Sequence, residues 1–293
     1  MMFPIPTAPH QAGFAAAGLR PGPYDDWLGL DTWNMDAPSQ PRPTASIVKL
    51  GGRTRPASQP GAGSALTVLP RHRLTTGVLC GAQIAPASPQ AGGGPVQCAW
   101  LLRAACQEAQ AWRATEASEA ECAVTVALPE HAAHSGTLRA QARAALATAR
   151  LPARLLEIAF AAPDLVEAGP EVLLLVSSLH DFGIGVSMDG LDGRPSSMQA
   201  LRSLPLTGMR LAASLTGEVA RSAEARDAVF QAVHLAHRVG ARVSAVDVRT
   251  ALQRDVLADL GCDDAQGPIF ADSLPPAAFR RALTGLLERQ TGH

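Results

Sequence analysis

Two histidines three residues apart, in His131-Ala132-Ala133-His134, can share one face of a helical turn, the arrangement in which paired imidazoles hold zinc. A catalytic zinc needs three protein ligands and a structural one four, and the flanking sequence offers no third, so solvated loop histidines are expected. Ser196-Ser197 before Met198 has the form of a helix start, and nothing in the sequence marks either hydroxyl as an activated nucleophile. Gly92-Gly93-Gly94 lacks the preceding strand and the following Lys-Ser or Lys-Thr of a phosphate-cradling loop. The cysteines Cys80, Cys98, Cys106, Cys122 and Cys262 are odd in number and contain no C-x-x-C pair, which reads as buried free thiols in a reducing compartment. Lys49 is the one lysine. The other members of the lysine and arginine set are all arginines, which keep their proton and cannot serve a step that needs a change of charge.

The elements that must position any chemistry begin near residue 65, where short apolar runs alternate with helix-like segments. That is the pattern of βα units and a parallel sheet. Strands are expected at Leu66 to Leu69, Val78 to Ile84, Ala123 to Leu128, Leu155 to Phe160, Gly185 to Met188, Met209 to Leu211 and Arg242 to Ala245, with Gly267 to Phe270 closing the sheet. Helices are expected at Trp100 to Arg113, Leu138 to Ala149, Val172 to His180, Met198 to Leu204, Ala225 to Val239, Leu252 to Leu260 and Pro275 to Leu287. The chain's 293 residues, 47% of them apolar and 17% charged, suffice for one α/β barrel. A net charge of −1 points to neither nucleic acid nor an anionic membrane as partner. The longest apolar runs, such as Val172 to Val176, are too short to span a bilayer, and a cytoplasmic protein is expected.

Residues 1–62 differ in kind. Ten of the chain's 23 prolines fall in the first 60 residues without a sustained apolar period, so this segment is expected to be mostly disordered, with the barrel occupying 63–293. One island within it interleaves aspartates with Tyr24, Trp27, Leu28, Leu30 and Trp33. Exposed aromatics need a partner. This motif either folds back on the barrel or docks in the groove of another protein.

Three stretches resemble the EAL domain family, the barrel that hydrolyses cyclic di-GMP. Trp100-Leu101-Leu102-Arg103-Ala104-Ala105-Cys106 through Trp112-Arg113 is similar to the family's first large helix, and Leu201-Arg202-Ser203-Leu204-Pro205 to its L-R-x-L-P turn. Ala245-Val246-Asp247-Val248-Arg249-Thr250, followed by Leu260-Gly261-Cys262-Asp263-Asp264-Ala265-Gln266-Gly267, is similar to A-E-G-V-E-T and L-G-C-D-x-x-Q-G. Their order and intervals imply a TIM-like (β/α)8 barrel of EAL type over residues 65–288.

The resemblance also locates where the family's chemistry would lie. Its E-A-L tripeptide falls on Gln83-Ile84-Ala85, its asparagine on Thr125, and its next glutamate on Ile158, with Glu157 beside it. The D-D pair falls on Asp189 and Gly190, the lysine and aspartate of L-K-I-D on Arg210 and Ala212, the two later glutamates on Val246 and Arg249, and the glutamine on Gln266. The nucleotide-contacting glutamine and arginine fall on Leu69 and near Ala87. Two-metal cleavage needs several anionic oxygens at the strand ends, and this set keeps Asp189 and Gln266. No catalytic residue, metal or cofactor is therefore expected, and an Arg210 guanidinium is expected to pair bidentately with Asp189, with Arg249 near the same barrel mouth; the alternative is that the two arginines hold a different anion, such as a phosphate.

The resulting expectation is a catalytically inactive EAL-like regulatory protein that acts by binding an unidentified signalling protein. The alternatives, in order, are a non-hydrolysing cyclic di-GMP receptor and a divergent phosphodiesterase. Cyclic di-GMP binding is allowed but not favoured. The resemblance implies pairing into a homodimer through residues near Gly190 to Leu204.

Overall fold

A computed structural model of the chain describes residues 66–87, 94–114, 122–194 and 202–291, together with Ser197 and Gln199. The aromatic motif at 23–35, the boundary at 62/63 and, of the expected helix Met198 to Leu204, the residues Met198, Ala200 and Leu201 lie outside the described residues. Eight strands close a barrel in sequence order: β1 (Leu66–Arg73), β2 (Leu79–Pro86), β3 (Ala123–Ala127), β4 (Leu156–Ala161), β5 (Gly185–Leu191), β6 (Gly208–Leu211), β7 (Arg242–Ala245) and β8 (Asp264–Ala265). Helices α1 (Pro95–Ala114), α2 (Leu138–Ala149), α3 (Ala162–Val166), α4 (Pro170–Asp181), α5 (Ala213–Glu218), α6 (Ala223–Arg238), α7 (Ala251–Asp259) and α8 (Pro276–Thr291) accompany it. No helix among the described residues is long and apolar enough to cross a membrane.

The expected sheet needs two corrections. Strand β1 runs antiparallel to both neighbours, β2 and β8, while β2 to β8 are mutually parallel. Only Leu74–Val78 joins β1 to β2, too short for the crossover a parallel pair requires. That segment turns as a hairpin, with Gly77 at φ 69° and its N–H donating to the Arg73 carbonyl. The closing strand is Asp264–Ala265 rather than Gly267 to Phe270, which forms a turn. Gly267 explains the difference. At φ 150° it passes so close to the next loop that a Cβ there would stand 2.3 Å from the Val248 nitrogen.

Alternation along the strands sends one set of side chains outward to the helices and the other into the barrel. Val124, Val126, Ile158, Val186, Met188 and Val243 belong to the buried apolar layer. The helices pack on it by the same logic: α1 buries Leu101, Leu102, Ala105, Cys106 and Ala109, and its Trp112 meets Phe279 of α8 edge-on at 4.9 Å. Glu108 of α1 and Arg280 of α8 form an ion pair beside that contact. Helix α7 starts with a capping box, in which Thr250 accepts from the Gln253 N–H while the Gln253 side chain accepts from the Thr250 N–H.

Candidate functional site

The inward faces of the strands carry polar side chains in two groups. The deeper one centres on Arg71 of β1, whose side chain is 5% exposed. Its guanidinium lies 3.6 Å from Glu157 of β4 and 3.8 Å from Asp264 of β8. Glu157 also accepts hydrogen bonds from Ser187 Oγ (3.0 Å) and Thr125 Oγ1 (3.3 Å), and Ser244 Oγ bonds Asp264. Burial works against charge on both partners. The carboxylates nevertheless hold the Arg71 pKa above its ordinary value, and Arg71, with help from the Ser187 hydroxyl, holds Glu157 below the usual carboxylate range. Room for the cation is made by Gly81, where a Cβ would meet Arg71 Nη2 at 2.9 Å.

The second group lies nearer the carboxyl ends of the parallel strands. Arg210 of β6, 4% exposed, reaches across the barrel and donates through Nη2 to Gln83 Oε1 of β2 at 2.5 Å. Its Nη1 donates to Asp189 Oδ2 of β5 at 3.4 Å. Gln266, just past β8, donates to the same Gln83 oxygen at 2.6 Å. The structure thus brings together Gln83, Asp189, Arg210 and Gln266, as their shared strand ends imply. Arg210 joins Asp189 by one contact rather than as a two-pronged fork, because its other amino group serves Gln83.

Other expected positions fall elsewhere. Ile158 is fully buried in the outer apolar layer. The row of paired residues runs Gln83, Thr125, Glu157, so the acid beside the expected position is the one that faces inward. Arg249 does not turn to Asp189; it is exposed and pairs with Asp247 at 3.0 Å. Asp247 itself adopts φ 57°, at the place of the glycine in A-E-G-V-E-T. Gly190, at φ 89°, forms the irregularity between Asp189 and Leu191 in the pairing with β6 and brings no side-chain oxygen. Val246 follows β7 as a half-buried aliphatic side chain.

The spacing of motifs does not reveal Arg71, Ser187, Ser244 and Asp264. Arg71 lies just past the expected strand Leu66 to Leu69, and only the extension of β1 to Arg73 carries its charge into the barrel, where it requires a partner. A further group forms beside the barrel, where Asp164 of α3 joins His131 and His134. The linear spacing gave no third candidate ligand there; the fold brings a carboxylate beside the two histidines.

The interior donor set does not suit a pair of divalent cations. Such ions take several oxygen ligands, with carboxylates foremost. Here Glu157 and Asp264 already face Arg71, Asp189 faces Arg210, and Gln83 spends its amide oxygen on Arg210 and Gln266. A guanidinium sits between the amide and the carboxylate nearest the strand ends.

The frame, by contrast, matches known proteins along most of its length. The EAL domain model matches residues 64–273. The chain belongs to the EAL domain family. An EAL barrel is also what the solved EAL domain of Mycobacterium smegmatis DcpA presents; its TM-score is 0.69 at 20% identity, over 76% of this chain and 98% of that one. Among curated relatives, the signaling protein YkoW of Bacillus subtilis is 23% identical over 63% of this chain and 23% of its own length. The bifunctional diguanylate cyclase/cyclic di-GMP phosphodiesterase MucR of Pseudomonas aeruginosa is 24% identical over 60% of this chain and 25% of its own length. The chain therefore spans about a quarter of the length of these relatives.

Proposed function

We propose that this EAL barrel acts in cyclic di-GMP signalling without hydrolysing the nucleotide, and regulates another protein by binding it. The observation that carries the reading is Arg210, a permanent cation hydrogen-bonded to Gln83 and paired with Asp189 where the family's metal ligands are expected. A guanidinium can neutralise a carboxylate, but it cannot lower the pKa of a bound water as a divalent ion does. The aliphatic and arginine side chains of Val246 and Arg249 add no anionic ligand. With chemistry set aside, contact with a signalling protein is the remaining output, and the aromatic motif Tyr24 to Trp33 is the segment proposed to make it.

The test is incubation of the full chain with cyclic di-GMP and magnesium or manganese, with the nucleotide resolved by chromatography. We expect no linear dinucleotide above the protein-free control. Turnover that scales with protein and is abolished by chelator would overturn the reading. Calorimetric titration under the same conditions separates the remaining alternative: saturable heat without turnover would make the chain a receptor, and absence of heat from folded protein supports regulation by protein contact.

A further inference from the structure

We propose that His131, His134 and Asp164 form a binding site for a zinc-class divalent ion on the rim of the barrel, separate from the strand-end group described above. The two histidines flank and end the short 3-10 turn Ala132–His134, which follows β3. Asp164 comes from the first turn of α3, which follows β4. Since β3 and β4 are adjacent and parallel, both connections emerge at the same end of the barrel.

Their donor atoms all lie within 4.8 Å of one another. Donors around a tetrahedral zinc, each about 2.0–2.1 Å from the metal, stand about 3.3 Å apart, so only modest side-chain rotation separates the observed positions from a ligand set. Both imidazoles are exposed, His131 with 85% of its side chain accessible and its Nδ1 3.9 Å from Asp164 Oδ1.

The carboxylate is already fixed. Asp164 is 3% exposed, and its Oδ1 accepts from the His131 N–H at 2.9 Å while Oδ2 accepts from the Ala133 N–H at 3.4 Å. Each oxygen keeps a further lone pair for a metal. The same bonds hold the turn that presents the histidines, with His131 at φ 66°, a region non-glycine residues seldom occupy. A buried, oriented acid beneath two exposed imidazoles is therefore a partly organised site. Two nitrogen donors and one oxygen suit zinc better than magnesium or calcium, which prefer all-oxygen shells. Three protein ligands leave the fourth position to water, and the bound ion would tie the loop after β3 to the loop after β4.

The experiment is calorimetric titration of the chelator-treated full chain with a zinc salt, repeated with cobalt(II) to read coordination from its visible absorption. The expected result is one equivalent bound at micromolar or tighter dissociation constant with a tetrahedral cobalt spectrum. A His131→Ala/His134→Ala double variant, whose carboxylate-to-backbone bonds remain, should bind at least about tenfold more weakly. Absence of one-equivalent binding by the unmodified chain would overturn the proposal. So would unchanged affinity in the double variant, which would place the metal on other histidines or on cysteines.

Discussion

Arg210 and Arg71 each bring a guanidinium out of water, at a cost of several kcal/mol that only well-placed partners offset. Arg71 has Glu157 and Asp264; Arg210 has Asp189 and the amide of Gln83. Removing one partner should therefore cost more than the pair contributes. Glu157→Gln leaves Arg71 with a single carboxylate at 3.8 Å, and we expect a loss of about 3 kcal/mol in denaturant unfolding. Arg210→Ala should cost about 2 kcal/mol, less because Asp189 is 31% exposed and can recover water. Arg210→Lys should not restore it, since an ammonium lacks the fork that reaches Gln83 and Asp189 together. Unfolding midpoints equal to the parent chain would remove both ion groups from the account of stability. The Arg210–Asp189 contact was legible in the sequence, because both residues fall on strand ends fixed by strong flanking motifs. Glu157 was not legible as the inward acid. In a strand as apolar as Leu155-Leu156-Glu157-Ile158 a slip of one residue exchanges the two faces, and no local pattern sets the register.

At the scale of elements, helix α2 and strand β7 occupy the residues their patterns predict, Leu138–Ala149 and Arg242–Ala245, and most other bounds differ by a few residues. The reversed direction of β1 was readable in principle from the short Leu74–Val78 link. The closing strand was not. Gly267 to Phe270 has the composition of a strand end, and only the close passage of the chain over Val248 turns it away. The hydrogen bonds from the Val248 N–H to the Gln266 carbonyl and from the Ile269 N–H to the Val248 carbonyl lock that passage. Gly267→Ala is expected to destabilise the chain by about 2–3 kcal/mol, because its Cβ would meet backbone rather than a side chain that can rotate. A thermal midpoint within a degree of the parent would show that the turn relaxes more easily than its packing implies. Because Gln266 is adjacent, the same change should also disturb its bond to Gln83.

The molecule as a whole integrates these sites through proton binding, since one cooperative barrel reports every folded-state pKa in a single unfolding free energy. His72 lies 2% exposed, stacked on Phe270 at 5.2 Å, and burial lowers its pKa from 6.5 to about 4. The unfolded chain then takes up this proton first as pH falls, so stability should decline between about 6.5 and 4. Glu157, held below the ordinary carboxylate value chiefly by Arg71 against the opposing effect of burial, adds a further loss as pH falls below 4.5, because the unfolded carboxylate protonates first. At the alkaline side burial raises Cys106 and Cys122 from 9.0 to about 12. There the unfolded thiols release protons first, and stability should fall again above about 9. The expected curve is a plateau between about pH 6.5 and 9 with a decline on both sides, measured by denaturant unfolding under reducing conditions. His72→Phe keeps an aromatic ring against Phe270 and should flatten the segment between 6.5 and 4.5 while leaving the alkaline limb in place. Should the variant instead lose stability over that segment as steeply as the parent chain, the acid limb belongs to other groups and the neutral, buried imidazole of His72 is not its source.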